Sequence, residues 1–334
     1  MNFFEYLKVE VWEILLAFFL DLLIGDPEFI PHPIVGIGKL IEKTENFLRK
    51  FSISEKVLGI FLFLGVNSIV LSLVFLGLFF ILWGKKSEYV GLKIFSEGLF
   101  IFLISQFLAL KGLIREAQRV EKFLISGDLV SARRALRALV GRDTENLSEK
   151  KIRIAVSESL SENLNDAVLA PLFYLFLGGF PGMVFYKTVN TLDSMVGYRD
   201  EKYLKLGWFS AKMDDLLNYL PARISGLMIV LTSFILGGSS LAKRSFITML
   251  RDGRKHLSPN SGIPEAALAG FLGIKMGGPH FYKGVLVEKP YIGEELLSDY
   301  SLVIKTSCKV VLISSFLFLV LAISLKIIFT KGFY

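Results

Sequence analysis

Glu158, Glu162 and Asp166 recur at i, i+4 and i+8, which places three carboxylates on one face of a helix. Like charges at that spacing oppose helix formation. Solvent, basic partners or a divalent cation must offset them. Asn163 and Asn165 add amide oxygens on the same turns. Asn190 and Asp193 stand three residues apart in a stretch rich in Thr and Ser. Such hard oxygen donors suit magnesium, and they equally suit helix capping. Asp214 and Asp215, followed by Asn218, either bind a metal or favour the dipole of the next helix.

Cations accompany these acids. Gly141-Arg142-Asp143-Thr144 is one basic turn; Arg254-Lys255-His256 with Ser258-Pro259-Asn260-Ser261-Gly262 is another. Glycine beside basic side chains offers backbone N–H groups and positive charge to a phosphate, or simply makes a solvated basic loop. Pro31-His32-Pro33 is a stiff element. It either presents His32 to a phosphate or carboxylate, or only turns the chain. Several chemistries are excluded. There is no GxxxxGK[ST], GxGxxG or GxSxG pattern. The single Cys308 forbids an internal disulfide or a CxxC pair, and the three histidines have no zinc-site spacing.

The elements that carry these residues are apolar. Of 334 residues 53% are hydrophobic and 30 are Phe. A bilayer crossing needs about 20 mostly apolar residues as helix. Residues 57–83 hold no charge, and 224–241 and 310–325 are similar. Residues 94–110 contain one acid, Glu97. Residues 11–24 carry Glu13 and Asp21, and 164–186 is interrupted by Gly178-Gly179-Phe180-Pro181-Gly182. No strand alternation is visible. The expected fold is all-α: a polytopic membrane protein with four to six transmembrane or re-entrant helices and long helical or loop segments between them. The chain reads as an N-terminal membrane region (1–110), a basic and then acidic/amide-rich region with a re-entrant candidate (111–223), and a C-terminal region of two membrane helices flanking a Gly/Pro-rich loop (224–334). Acids near the start argue against a cleavable signal. Lys and Arg crowd 111–163 and 242–309, so these loops are expected on the cytoplasmic side of the cell membrane. They also account for the net charge of +7, so no nucleic-acid partner is expected.

Together the motifs resemble the cobinamide synthase family of cobalamin biosynthesis (CobD/CbiB). The resemblance rests on Asp21–Pro27 with Pro31-His32-Pro33, Val140–Thr144, Glu158–Asp166 running into Ala170-Pro171, Val189–Tyr198, Asp214–Asn218 with Pro221-Ala222-Arg223, and Arg254–Asn260 with Pro264-Glu265-Ala266-Ala267. The chain departs from the family pattern at Ile263, at 145–151 and at Gly278-Pro279-His280-Phe281.

The resemblance implies an ATP-dependent ligase. It would join the carboxylate of a corrinoid, adenosylcobyric acid, to aminopropanol or its O-phosphate, with magnesium. On that reading Glu158, Glu162, Asn163, Asp166, Asn190 and Asp193 hold the metal. Arg142, Asp143, Arg223, Arg254, Lys255, Asn260, Glu265 and His32 bind substrate or phosphate. Asp214, Asp215 and His256 are candidates for the base that deprotonates the amine. The bilayer and other membrane enzymes of the pathway are the expected partners. The rival from another class is a corrinoid-binding membrane protein or transporter without bond chemistry.

Overall fold

The computed structural model describes residues 3–25, 31–198, 200–282 and 284–331. Asp26 and Pro27 of the N-terminal motif lie outside the described residues. In chain order the helices are α1 (Phe3–Leu7), α2 (Val11–Ile24), α3 (Pro33–Leu48), α4 (Glu55–Lys85), α5 (Val90–Ser105), α6 (Leu110–Ile125), α7 (Leu129–Leu136) and α8 (Glu149–Leu164). A π-helical turn at Asn165–Leu169 leads into α9 (Ala170–Val196), then α10 (Trp208–Leu217), α11 (Tyr219–Asp252), α12 (Gly262–Leu272) and α13 (Val303–Lys331). Between α12 and α13 lie β1 (Met276–Gly277), β2 (His280–Tyr282), β3 (Val285–Val287) and β4 (Tyr291–Ile292). They pair antiparallel as β1–β4 and β2–β3. The fold is all-α apart from these ladders, which are too short to show a period-two pattern in sequence.

Four helical stretches are long and apolar enough to cross a bilayer: Glu55–Lys85, Glu149–Val196, Tyr219–Asp252 and Val303–Ile328. A fifth is formed if α5 and α6 count as one bent span.

Two of these stretches double back on themselves. A straight helix rises about 1.5 Å per residue. Tyr174 and Tyr186 would then lie some ~18 Å apart along it, yet their rings stack with centroids 5.1 Å apart. The reversal falls at Gly178 and Gly179, the latter with φ 61°. A side chain at Gly179 would strike the backbone of Leu7, so the close approach requires glycine. In α11 the break is Gly238, with φ 73°. A Cβ on Gly226 would come within 2.7 Å of Met249 Sδ, which brings the two arms of α11 side by side. Both elements are helical hairpins, broken at Gly178-Gly179 and at Gly238, so 224–241 is not one straight span.

Contacts divide the chain into two units that interleave along the sequence. The first comprises Met1–Ala109 and Ala170–Leu217. Here α4 packs against α3, α5, α9 and α10. Lys85 pairs with buried Glu13 and, at 3.0 Å, with Glu97, and its ammonium stands 4.0 Å from the Phe100 ring. Acids in apolar segments are thus held by a cation at the end of α4.

The second unit comprises Leu110–Leu169 and Asn218–Tyr334. In it α13 packs on α6, α8 and α11, and α11 on α12. Hydroxyl pairs tie the apolar helices: Ser157 to Ser307 at 2.9 Å and Thr232 to Ser314 at 2.8 Å. Buried Arg153 joins α8 to α6 through Glu121 and donates to the Ser301 carbonyl at 3.0 Å.

Candidate functional site

The second unit contains a polar cavity of about 140 Å³. Helix α8 begins at Ser148, whose hydroxyl caps the Lys151 N–H, and its i, i+4 spacing sends Glu158 and Glu162 to the same side. Arg142 enters from the turn before α8, His256 from the loop after α11, and Glu265 from the first turn of α12. His280 comes from β2 and Lys289 from the segment after β3.

Arg142 is the hub. One guanidinium nitrogen donates to Glu158 Oε2; the other stands 2.6 Å from His280 Nε2. Glu158 Oε1 accepts the Gly277 N–H at 2.6 Å, so both its oxygens are engaged. Glu162 Oε1 accepts the Ser261 hydroxyl at 3.0 Å and the residue is half-buried. His256 Nδ1 accepts the Ser258 N–H at 3.0 Å, while its Nε2 lies 4.0 Å from Glu265.

Burial sets the protonation of these groups. Glu265 is raised well above the ordinary carboxylate range, first by desolvation and then by the Glu162 and Glu158 carboxylates. His280 falls to about 4 because burial and the neighbouring Arg142 disfavour its charged form. His256 is lowered by burial and then by Lys289. Burial thus favours the uncharged form of both imidazoles and of the Glu265 carboxyl. That set can accept, donate and relay protons.

Asp143 braces this wall. Its N–H donates to the Phe281 carbonyl at 2.8 Å and its carboxylate accepts the Gly284 N–H at 2.7 Å, pinning the β2–β3 ladder. Arg142, Asp143 and His280 also line a second cavity of about 460 Å³, together with Asn146 and Lys151.

The remaining predicted residues sort by unit. Arg223 fastens the following loop, donating to Asn260 Oδ1 at 2.8 Å and lying 3.6 Å over the Tyr219 ring. Arg254 and Lys255 are exposed and do not line the polar cavity; Lys255 pairs with buried Asp252 at 2.7 Å. Asn163 turns back onto the Ser159 carbonyl at 2.9 Å. Asp166 accepts from Asn165 at 2.7 Å, and Asn165 also bridges Asn218 and Ser225 in a buried network of the second unit.

Asn190, Asp193, Asp214 and Asp215 belong to the first unit. Asn190 donates to Asp214 Oδ1 at 3.3 Å, joining two motifs that the sequence shows 24 residues apart. Asp215 faces Lys212 at 3.8 Å. His32, also in this unit, caps α3: its Nδ1 accepts the Ile34 N–H at 3.2 Å, the rigid-turn role. Among the described residues no group of three or more His, Cys, Asp or Glu side chains stands ready to hold a metal.

His280 and Lys289 escape the motif reading. His280 could have been noticed as the histidine at a departure from the family pattern. Lys289 has no local signal, because only the β ladders bring it to the cavity.

The model of the CobD/Cbib protein family matches residues 14–311. Proteins described as cobalamin biosynthesis protein CobD are similar along most of their length. That of Geobacter metallireducens is 45% identical over 285 residues, covering 85% of this chain and 86% of its own. That of Clostridium perfringens is 46% identical over 283 residues, 84% of this chain and 87% of its own. That of Clostridium tetani is 42% identical over 310 residues, 92% and 95% respectively. No solved structure matches the chain.

Proposed function

The chain belongs to the CobD/Cbib family of cobalamin biosynthesis, and we propose that it is the ligase which joins a corrinoid carboxylate to aminopropanol or its O-phosphate at the expense of ATP. The observation that carries this reading is the convergence on one polar cavity of Arg142, the Glu158/Glu162 pair, His256 and Glu265, drawn from separate motifs, together with Lys289. A free carboxylate does not condense with an amine unaided. ATP converts it to an acyl phosphate with release of ADP, and the amine then displaces phosphate. Such a reaction asks the protein for cations beside phosphate oxygens, an acceptor for the ammonium proton, and exclusion of water. Arg142 and Lys289 answer the first need, and His256 and Glu265 supply candidates for the second.

Magnesium bound together with phosphates keeps several waters and takes only one or two protein carboxylates. A preformed cage is therefore not required. Asp193, Asp214 and Asn190 of the first unit are a hard-oxygen set of the right kind. They would hold a magnesium ion within that unit, and its contribution would be to neutralise oxyanion charge. Asp214 and Asp215 remain alternatives for the base. Arg254 and Lys255, exposed on the surface, would meet a phosphorylated substrate from solvent on this reading. The basic loops of both halves are assigned to the cytoplasmic face of the cell membrane.

The test is a purified-protein assay with adenosylcobyric acid, aminopropanol phosphate, ATP and magnesium. Amide product should form only in the complete mixture. Corrinoid binding without ATP turnover in that mixture would instead establish the binding-protein or transporter reading.

A further inference from the structure

Glu265 is 5% exposed, yet it lines the polar cavity of the second unit. Among the described residues its carboxyl makes no hydrogen bond; His256 Nε2, at 4.0 Å, is beyond reach. The Glu265 oxygens face the cavity with their acceptor capacity left over for a ligand. The other acids of the cavity are differently placed. Glu158 is committed to Arg142 and to Gly277. Glu162 gives one oxygen to Ser261 and keeps the other. The open acceptor positions of the cavity are therefore those of Glu265 and Glu162.

We propose that these two carboxyl groups form the subsite for the amino group of the amine substrate, which donates its N–H groups to Glu265 and Glu162. This rests on the ligase reading above. An ammonium carries three donors and no acceptor, the complement of two carboxylates with free lone pairs. Size points the same way. About 140 Å³ admits a small amino alcohol, whereas drug-sized or larger ligands need on the order of 300–1,000 Å³. The charged and titratable groups around Glu265 are Glu158, Glu162, Arg142, Lys289, His256 and His280. Of the two cations, Arg142 is already held between Glu158 and His280, so it does not compete for the pair.

The experiment uses the full chain in nanodiscs, titrated calorimetrically with 1-aminopropan-2-ol and with its O-phosphate. Glu265→Gln keeps the shape and removes the ionisable carboxyl, whose charged form a bound ammonium would favour. Its affinity for the amine should fall about 10- to 100-fold, the loss expected for a charged hydrogen bond. Its affinity for ATP should not change, and Glu265→Asp should recover part of the loss. Should Glu265→Gln fail to fold, half-buried Glu162→Gln gives the same reading and should show the same selective loss. Native amine affinity in both Gln variants would overturn the subsite while leaving the ligase reading intact. If the native protein binds neither amine and forms no amide with every substrate present, the ligase reading itself falls, and the subsite with it.

Discussion

Arg142 and His280, 2.6 Å apart, form the wall shared by the two polar cavities of the second unit. A positive charge fixed there can act on a group in either cavity. It is held in place by Glu158, whose other oxygen is held by Gly277. The arrangement explains why a neutral histidine is tolerated against an arginine: its charged form is the one that burial and Arg142 disfavour.

Removing Arg142 should affect stability as well as turnover. Arg142→Ala leaves Glu158 charged and buried, a loss of about 3–5 kcal/mol for a broken buried pair. Thermal unfolding in detergent should show a lowered midpoint, largely restored in the double variant Arg142→Met/Glu158→Gln. Arg142→Lys keeps the charge but not the fork that reaches Glu158 and His280 together. It should fold and lose about 2–4 kcal/mol in kcat/KM. Native kinetics in Arg142→Lys would remove the geometric role.

Stability should depend on pH through His280 and Glu265 in opposite senses. The folded pKa of His280 is depressed to about 4. Its contribution is present above the usual histidine value and is lost as pH falls towards 4. The folded pKa of Glu265 is raised. Its contribution is present below the usual carboxylate value and is lost as pH rises through the folded pKa. Unfolding midpoints measured across pH should therefore fall less on the acid side in His280→Asn, and fall less as pH rises above the usual carboxylate value in Glu265→Gln. A His280→Asn profile that parallels the native one would count against the first assignment.

The two hairpin glycines should differ in their tolerance. Gly179→Ala combines a left-handed backbone with a collision at Leu7 and should cost about 1–3 kcal/mol or more. Gly238 has the same sign of φ but open space around it, so Gly238→Ala should cost only the backbone term, about 1–2 kcal/mol. Midpoints of the two variants, measured side by side, check the order.

Asp193→Asn tests the magnesium assignment in the first unit. It should raise the magnesium concentration needed for half-maximal turnover and leave amine binding unchanged. Full activity of the variant at low magnesium would strike Asp193 from the ligand set.

Much of this architecture is legible in residue patterns. The uncharged run 57–83 becomes α4, and the Gly-Gly-Phe-Pro-Gly interruption marks the reversal of α9. The same signal at Gly237-Gly238 is easily read through, because the run 224–241 has no proline and no charge to interrupt it. Periodicity reports which face is apolar; it cannot report that a helix returns on itself. The site divides in the same way. Arg142, Glu158 and Glu265 stand out as motif residues, but the pairing of Arg142 with Glu158 is tertiary. So is the arrival of Lys289 and His280, which depends on β ladders of two and three residues. The motifs also read as one set, whereas Asn190, Asp193 and Asp214 fold within a different unit from Glu158 and Glu162.

The interleaving of the two units bears on biogenesis. Residues 1–109 leave the ribosome first, but the rest of their unit, Ala170–Leu217, follows only after 110–169. At roughly 5–20 residues per second, about 5–20 s of translation separate residue 109 from residue 217. For most of that interval α4 has been synthesised while its partners α9 and α10 are absent or incomplete. Lipid or an insertion factor must cover its packing face until they arrive. The order of synthesis thus leaves this unit incomplete while the other is begun, a delay that a chain with the same helices in contiguous units would not have.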